Sequence, residues 1–199
     1  TLDRLAVGAN FNPELGFVPR RDFRRNFAQL RFSPRPRSLP SIRKFLFQAS
    51  LDYTTDGANQ PETRLQQGIF GIEFENGDYL FAGTTSNYER LARPFDITSD
   101  IGIPVGGYNF VNTRVVYAFG QQRMLSGGLS VDHGGFFDGD RVGVGYTFGR
   151  LTVSPRLSVE PSVSLNRITL PQGEFETRLV SARTTYSMTP RMFVSALVQ

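Results

Sequence analysis

Apolar and polar residues alternate with a period of two along most of the chain. Residues 157–165, for example, read LSVEPSVSL, so that leucine, valine and proline alternate with serine and glutamate. This period is typical of a β-strand with one apolar and one polar face. Helical periodicity is hard to find anywhere in the sequence. The pattern therefore predicts an all-β protein.

The alternation predicts eleven antiparallel strands joined in sequence order, as an up-and-down meander that forms a single domain over residues 1–199. The predicted strands are residues 3–11, 22–33, 42–55, 62–75, 78–91, 108–119, 123–133, 139–153, 157–170, 174–188 and 191–199. In the strand at 139–153 the predicted apolar row is Val142, Val144, Tyr146 and Phe148.

Two kinds of connection alternate between these strands. Short connections contain proline or Asn-Gly, and Ser/Thr-Pro-Arg recurs at 33–35, 154–156 and 189–191. Proline fixes φ and lacks an N–H, so it suits a turn. The other connections are longer and rich in Gly, Asp and Phe; they are residues 12–21, 56–62, 92–107, 133–140 and 171–175. This alternation predicts short turns at one end of the sheet and long loops at the other.

Two architectures fit such a meander. A soluble sandwich or barrel would bury the apolar face, whereas an outer-membrane barrel would turn it towards lipid and line its interior with the polar face. Strands of ten or more residues favour the membrane barrel, because ten residues tilted near 45° rise roughly 23 Å. Aromatic residues also end several apolar rows, at Tyr53, Tyr117, Phe119 and Tyr186, where interfacial girdles are expected.

Glycines and strand number refine this prediction. Gly128, Gly143 and Gly145 fall on the polar face, where a barrel interior tolerates gaps that a packed core does not. Pro161 falls on the apolar face, and its missing N–H requires a bulge or a break in the ladder. Bacterial barrels have an even number of strands. A count of eleven therefore predicts that the chain is a piece of a longer barrel, and we expect about 10–12 strands in this piece.

The predicted polar faces carry residues of both charge signs. This predicted lumen lining consists of Arg31, Lys44, Gln48, Asp52, Gln67, Glu73, Asn112, Arg114, Glu160, Asn166 and Arg183. Two roles are open for the set: a salt-bridged lining that stiffens the barrel, or a porin-like conduit or docking cavity for a plug, a partner or a small solute. The loop at 92–107 is expected to fold inward or to cover the mouth.

Composition limits the other chemistry. Cysteine is absent, so disulfides and thiolate metal sites are excluded. The net charge is +4. The basic clusters at 18–25 and 31–44 fit solvated turns or an anionic lipid surface, and we expect no nucleic-acid partner and no cofactor. No apolar run approaches the roughly 20 residues of a helical membrane span.

Candidate sites for metal or catalysis are weak. Asp132, His133, Asp138 and Asp140 could gather at one loop around a divalent cation, but the spacing matches no EF-hand and His133 is the single histidine. No GxSxG motif supports a serine hydrolase. Glu73 and Glu160 would both face the interior but lie on non-adjacent strands. The sequence therefore does not fix the distance between their carboxylates, on which glycoside hydrolysis by a carboxylate pair depends.

Several separated motifs resemble one protein family. They are NPELGFVPRRDFRRNFAQLRFSPRPRS, ASLDYTTDG, QQGIFGIEFENGD, IPVGGYNF, GGFFDGDRVGVGY and TPRMFVSALVQ. Together they resemble the C-terminal region of large bacterial envelope proteins of unassigned function. The resemblance implies an outer-membrane barrel that normally follows an N-terminal module similar to the family 9 carbohydrate-binding modules, and it implies no catalytic residue.

Three functions follow as hypotheses. The first is a non-enzymatic barrel of the bacterial outer membrane that contacts lipid and acts as an anchor, or as a channel or ligand-presenting barrel for a small solute, a saccharide or other envelope proteins. In that case the loop residues Phe95, Phe136, Phe137 and Phe175 could stack on sugars or simply pack the loops together. The second is a hydrolase carried by the barrel, and the third is a soluble all-β binding domain.

Overall fold

The computed structural model describes residues 1–12 and 21–199, so most of the predicted loop at 12–21 lies outside the described residues. This part of the chain contains thirteen strands and no helix. No helix with the length and hydropathy of a membrane span is found in it. The strands are β1 (Leu2–Val7), β2 (Phe23–Phe32), β3 (Ile42–Asp56), β4 (Pro61–Phe74), β5 (Tyr79–Leu91), β6 (Phe95–Asp96), β7 (Gly102–Ile103), β8 (Gly106–Phe119), β9 (Leu125–Phe136), β10 (Gly139–Ser154), β11 (Leu157–Leu170), β12 (Gly173–Thr189) and β13 (Met192–Val198).

Eleven of these strands form one antiparallel sheet in the order β1-β2-β3-β4-β5-β8-β9-β10-β11-β12-β13. Each strand therefore pairs with its neighbours along the chain, apart from the small β6–β7 hairpin inserted after β5. This confirms the predicted all-β antiparallel meander. Within the described residues β1 pairs with β2 and β13 pairs with β12, and the sheet is not closed.

Most strand bounds agree with the prediction to within one to three residues, and β11 coincides with the predicted 157–170. The first strand was predicted too long. It ends at Val7 rather than at residue 11, because the chain turns at Gly8, whose carbonyl accepts a hydrogen bond from the Phe11 N–H at 3.1 Å.

Two of the predicted long loops are tight hairpins. β9 continues to Phe136 and β10 begins at Gly139, while β11 ends at Leu170 and β12 begins at Gly173. The predictions at 133–140 and 171–175 were therefore wrong in length. The glycines in these segments indicated loops, but the strand ladder continues through them.

All three Ser/Thr-Pro-Arg motifs lie at one end of the sheet, as predicted, and those at 154–156 and 189–191 form turns. The motif at 33–35 does not form a turn, since the Pro34 carbonyl accepts a hydrogen bond from the Phe45 N–H at 2.9 Å. The Ser154 Oγ accepts hydrogen bonds from the N–H groups of Arg156 and Leu157 at 3.3 and 3.1 Å. The Thr189 Oγ1 accepts one from the Arg191 N–H at 3.3 Å. In both places the hydroxyl and the proline together favour a turn between neighbouring strands.

A β-bulge interrupts β10 between Thr147 and Arg150. These two residues pair with Gly128 and Ser126 of β9, so β10 contains one extra residue there. Phe148 lies in the bulge with φ 53°, and the prediction that it continues the apolar row of β10 was wrong. The ladder between β10 and β11 breaks at the same place, opposite Pro161. This is the local break that the missing proline N–H requires.

Tyr146 explains why glycine occupies two positions beside the bulge. A Cβ on Gly127 would lie 2.7 Å from the Tyr146 ring. A Cβ on Gly149 would lie 2.5 Å from the same ring and 2.3 Å from the carbonyl oxygen of Pro161. The Tyr146 hydroxyl donates a hydrogen bond to the carbonyl of Ser126 at 2.5 Å. The ring therefore lies against bare backbone, a close approach that a side chain at either glycine would prevent.

Apolar packing is concentrated in one small cluster. Ile101, Ile168 and Leu170 are buried together, with Ile97, Phe136 and Phe175 packed against them. By contrast, the apolar rows of the long strands are largely exposed, for example Val131 at 52% and Val144 at 47%. The sheet has no second layer, so these rows have no protein partner within the described residues.

Candidate functional site

The eleven residues of the predicted lumen lining lie on one face of the sheet. Cross-strand partners share a face, and the register connects the members directly, as with Arg31 and Gln48, Lys44 and Glu73, and Glu160 and Arg183. Asn112, Arg114, Asp132, Gly143 and Asn166 connect the middle strands in the same way. We call this surface the polar face.

Alternate residues of the same strands show that the polar face is the more enclosed of the two. In β3, Gln48, Ser50 and Asp52 are partly buried, whereas the intervening apolar residues Phe47 and Leu51 are exposed. In β9, Ser126 and Ser130 are buried. A curved sheet shields its concave side, so this difference indicates that the polar face is concave.

Ion pairs join neighbouring strands across the polar face. The Lys44 Nζ lies 2.7 Å from a carboxylate oxygen of Glu73. Arg25 of β2 binds Asp52 of β3 through two nitrogens, with its Nε 2.8 Å from Oδ1. Arg114 and Asp132 approach to 3.6 Å. These pairs place opposite charges side by side and neutralise much of the charge on this face.

Uncharged polar side chains extend the network. The Asn87 Nδ2 donates a hydrogen bond to the Asn112 Oδ1 at 3.2 Å, and the Gln67 Nε2 donates one to the Thr85 Oγ1 at 3.4 Å. Asn166 accepts a hydrogen bond from Arg141 at 3.0 Å and donates one to Thr177 at 3.1 Å. Such cross-strand bonding favours the interpretation of this lining as a stiff, hydrated surface.

The long loop between β5 and β8 folds over the polar face at one end. Its β6–β7 hairpin brings Ile101 against Ile168 and Leu170. The register places Ile168 opposite Arg141 and Phe175, so this contact is on the polar face. The loop at 92–107 therefore packs on the polar face, and in an open sheet this contact does not distinguish the inward fold from a cover over a barrel mouth.

The predicted aromatic ligand contacts pack mainly against one another at this end. The ring of Phe137 lies 5.1 Å from that of Phe136 and 6.3 Å from that of Phe95. Tyr108 adds an edge contact to Phe137 at 5.4 Å. Phe136 and Phe175 pack on the Ile101 cluster. This arrangement favours loop packing over stacking on a sugar.

The metal candidates are separated by strand geometry. Asp132 lies opposite Arg114 on the polar face, whereas His133 is its neighbour in β9 and lies on the other face, opposite Thr113 and Val142. Asp138 accepts a hydrogen bond from Gln172 at 2.8 Å. Among the described residues, no group of three His, Cys, Asp or Glu side chains is placed to hold a metal ion.

The two carboxylates considered for glycoside chemistry lie far apart in the sheet. Glu73 is in β4 and Glu160 is in β11, with β5, β8, β9 and β10 between them in the strand order. Glu73 is also engaged by Lys44 and by Arg43, whose Nη1 lies 3.0 Å from it. A paired-carboxylate site is therefore not formed within the open sheet.

The sequence pattern did not indicate a buried aspartate at the end of the sheet where the short turns lie. Asp78, which is 2% exposed, accepts hydrogen bonds from the Tyr117 hydroxyl at 2.7 Å, the Gly120 N–H at 2.8 Å and the Arg123 Nη2 at 2.7 Å. These contacts join the turn at 75–78 to the turn at 120–124, and we call them the Asp78 clasp. The Tyr117 hydrogen bond, followed by that from Gly120, holds the pKa of Asp78 below its ordinary value.

No protein-family model, no curated protein and no solved structure matches the chain. The two faces of the sheet and the residues at its ends are therefore the features that bear on function.

Proposed function

We propose that this chain is a β-barrel domain of the bacterial outer membrane, with the apolar face towards lipid and the polar face lining the interior. The observation that carries the proposal is the exposure of the apolar rows. Ala82, Val115, Val131, Val144 and Leu165 are register partners across five strands, and they form a continuous belt with no protein layer over it. An apolar belt of this extent needs an apolar environment.

Strand length supports the same proposal. The strands from β3 to β11 in the large sheet contain 12–16 residues each. Tilted near 45°, even ten residues rise roughly 23 Å, close to the apolar band of an outer membrane. Tyr53 near one end, and Tyr117 and Tyr186 near the other, lie where aromatic girdles are expected.

The meander also determines how such a barrel closes. With eleven strands in an up-and-down order, β1 and β13 run in the same direction. If β1 paired directly with β13, the two strands would be parallel. The same holds for a ring of several copies around the barrel axis, in which β13 of one copy would pair with β1 of the next. An even-stranded antiparallel barrel therefore requires an odd number of additional strands between β13 and β1.

The network on the polar face and the loop that packs on it suit an anchor with a constricted interior. Paired charges leave a hydrated lining, and the β6–β7 hairpin narrows one mouth. The barrel then serves as a membrane anchor or as a path for small solutes. We further propose that it belongs to the C-terminal barrel region of the envelope proteins described above, which a full-length gene product with an N-terminal β-sandwich module would support.

The main test is the behaviour of the protein in membranes. We expect the chain, expressed with its natural flanking sequence, to be retained in the outer-membrane fraction and to migrate faster on a detergent gel before heating than after it. A water-soluble product whose migration is unchanged by heating would contradict the proposal and favour the soluble all-β domain.

Replacing Ile101 by aspartate tests the constriction. The change puts a charge into the Ile168–Leu170 cluster and removes apolar burial worth about 1.5–3 kcal/mol, so the hairpin should detach from the polar face. We expect chymotrypsin to cleave after Phe95, in the same hairpin, about tenfold faster and planar-bilayer conductance to rise. The matched control is Val105→Asp in the same loop, where the side chain is already exposed. Equal cleavage rates for the two variants would contradict the proposed contact.

A further inference from the structure

The bulge in β10 exposes an aromatic side chain in an unfavourable backbone conformation. Phe148 has φ 53°, a region that residues with a Cβ rarely adopt. Its side chain is 93% exposed, so no packing contact offsets the strain. Strained residues with no structural benefit cluster at binding sites. The combination therefore suggests a functional role for this ring.

Phe148 borders a cavity of about 570 Å³ on the polar face. This volume lies within the range of small-ligand sites. Pro161 and Leu197 line part of the cavity. The other side chains around it are polar and include four hydroxyl groups and charges of both signs: Gln121, Ser126, Thr147, Ser162, Ser181, Arg150, Glu160 and Arg183.

The chemistry of the lining narrows the class of ligand. Arg150, Glu160 and Arg183 supply donors and acceptors in one place, and the serines add hydroxyl groups of either kind. Such a mixture suits a ligand with many hydroxyl groups better than a simple anion or an acyl chain. The exposed ring of Phe148 offers an apolar platform beside these groups. A sugar combines a flat C–H face with a rim of hydroxyls, and so matches both features.

We propose that this cavity is a binding site for a short saccharide, with one sugar ring stacked on Phe148 and its hydroxyls bound by Glu160, Arg183 and the neighbouring serines. The site differs from the aromatic cluster around Phe137, whose rings pack on one another. The inference rests on the proposed function in one respect, since the polar face must be sheltered from lipid for a solute to reach it.

The test uses Phe148→Gly, which removes the ring and also relieves the strained φ, because glycine adopts positive φ readily. The variant should therefore fold at least as well as the parent protein. We expect saturation-transfer NMR and calorimetry on the folded protein in detergent to detect binding of at least one member of a panel of short glucose, galactose and galacturonate oligomers. We expect Phe148→Gly to weaken that binding about tenfold or more.

Phe32→Ala is the matched control, because Phe32 is also an exposed phenylalanine and pairs with Phe47 on the apolar face. It should bind the oligomer like the parent protein. Absence of binding by every panel member at millimolar concentration would overturn the inference, and so would equal affinity of Phe148→Gly and the parent. Either result with normal heat-modifiable migration would leave the barrel proposal standing, whereas loss of that migration in the parent would contradict the barrel itself.

Discussion

Arginine in place of Val144 is expected to prevent stable assembly in a membrane, whereas arginine in place of Ser164 is expected to be tolerated. Val144 lies in the middle of the apolar belt between Val131 and Leu165, and 47% of it is exposed. A charged side chain on the lipid face near the midplane costs about 2–4 kcal/mol. Ser164 is on the polar face opposite Gly145, which leaves room for a longer side chain.

The pair of variants separates the two orientations of the sheet because each puts the same charge on a different face. The measurement is the fraction of protein that folds into lipid vesicles as a function of urea, read from the heat-modifiable band. We expect the Val144→Arg midpoint to fall strongly and the Ser164→Arg midpoint to stay near that of the parent. If Val144→Arg folds normally in water and Ser164→Arg does not, the polar face is not the interior of a barrel.

The strands were predictable because their signal is local. In β11 every second residue from Leu157 to Leu165 is apolar, and the strand continues beyond this run to Leu170. The position of the predicted lining residues on one face of the sheet was predictable for the same reason, since a period of two assigns each residue of a strand to a face once one member is placed. Lys44 and Glu73, chosen from separate strands by this rule, form an ion pair at 2.7 Å.

Features that depend on pairing between strands were harder to predict from the sequence. The bulge at Phe148 requires knowledge of the partners in β9 and β11, and alternation alone placed this ring in the apolar row. Asp52 was predicted on the polar face, but its partner Arg25 was not among the predicted lining residues. Pro161 did predict the break in the ladder, because the missing N–H is a property of the residue itself and does not depend on its strand partners.

The residues of the polar face that the β6–β7 hairpin contacts could not be predicted from the sequence. The contact depends on Ile101 meeting Ile168 and Leu170, about seventy residues further along the chain. Neither segment alone specifies the other. The Asp78 clasp is similar, because its members come from two turns that become neighbours only when β5 and β8 pair.

Replacing Asp78 by asparagine is expected to destabilise the turn end of the sheet and to weaken its response to acid. The carboxylate accepts hydrogen bonds from Tyr117, Gly120 and Arg123, and an asparagine amide supplies one oxygen instead of two and carries no charge. At least one of these donors then loses its partner. We expect the temperature at which the heat-modifiable band converts to fall by roughly 5 °C or more.

The pH dependence distinguishes the loss of a charge from a general packing defect. The pKa of Asp78 is lowered in the folded protein, chiefly by the Tyr117 hydroxyl, so the carboxylate stabilises the fold above the ordinary value near 3.8. That contribution disappears as the pH falls through the lowered pKa. The parent should therefore lose more thermal stability than Asp78→Asn between neutral pH and pH values below 3.8.

Asp138→Asn provides the control for Asp78→Asn, because Asp138 is exposed at the opposite end of the sheet and accepts one hydrogen bond, from Gln172. It should keep both the thermal midpoint and the acid response of the parent. Equal acid responses in Asp78→Asn and the parent would show that Asp78 has the same proton affinity folded and unfolded. The hydrogen bonds from Tyr117, Gly120 and Arg123 would then not favour its charged form, and the clasp would not be the contact that stabilises this end of the sheet.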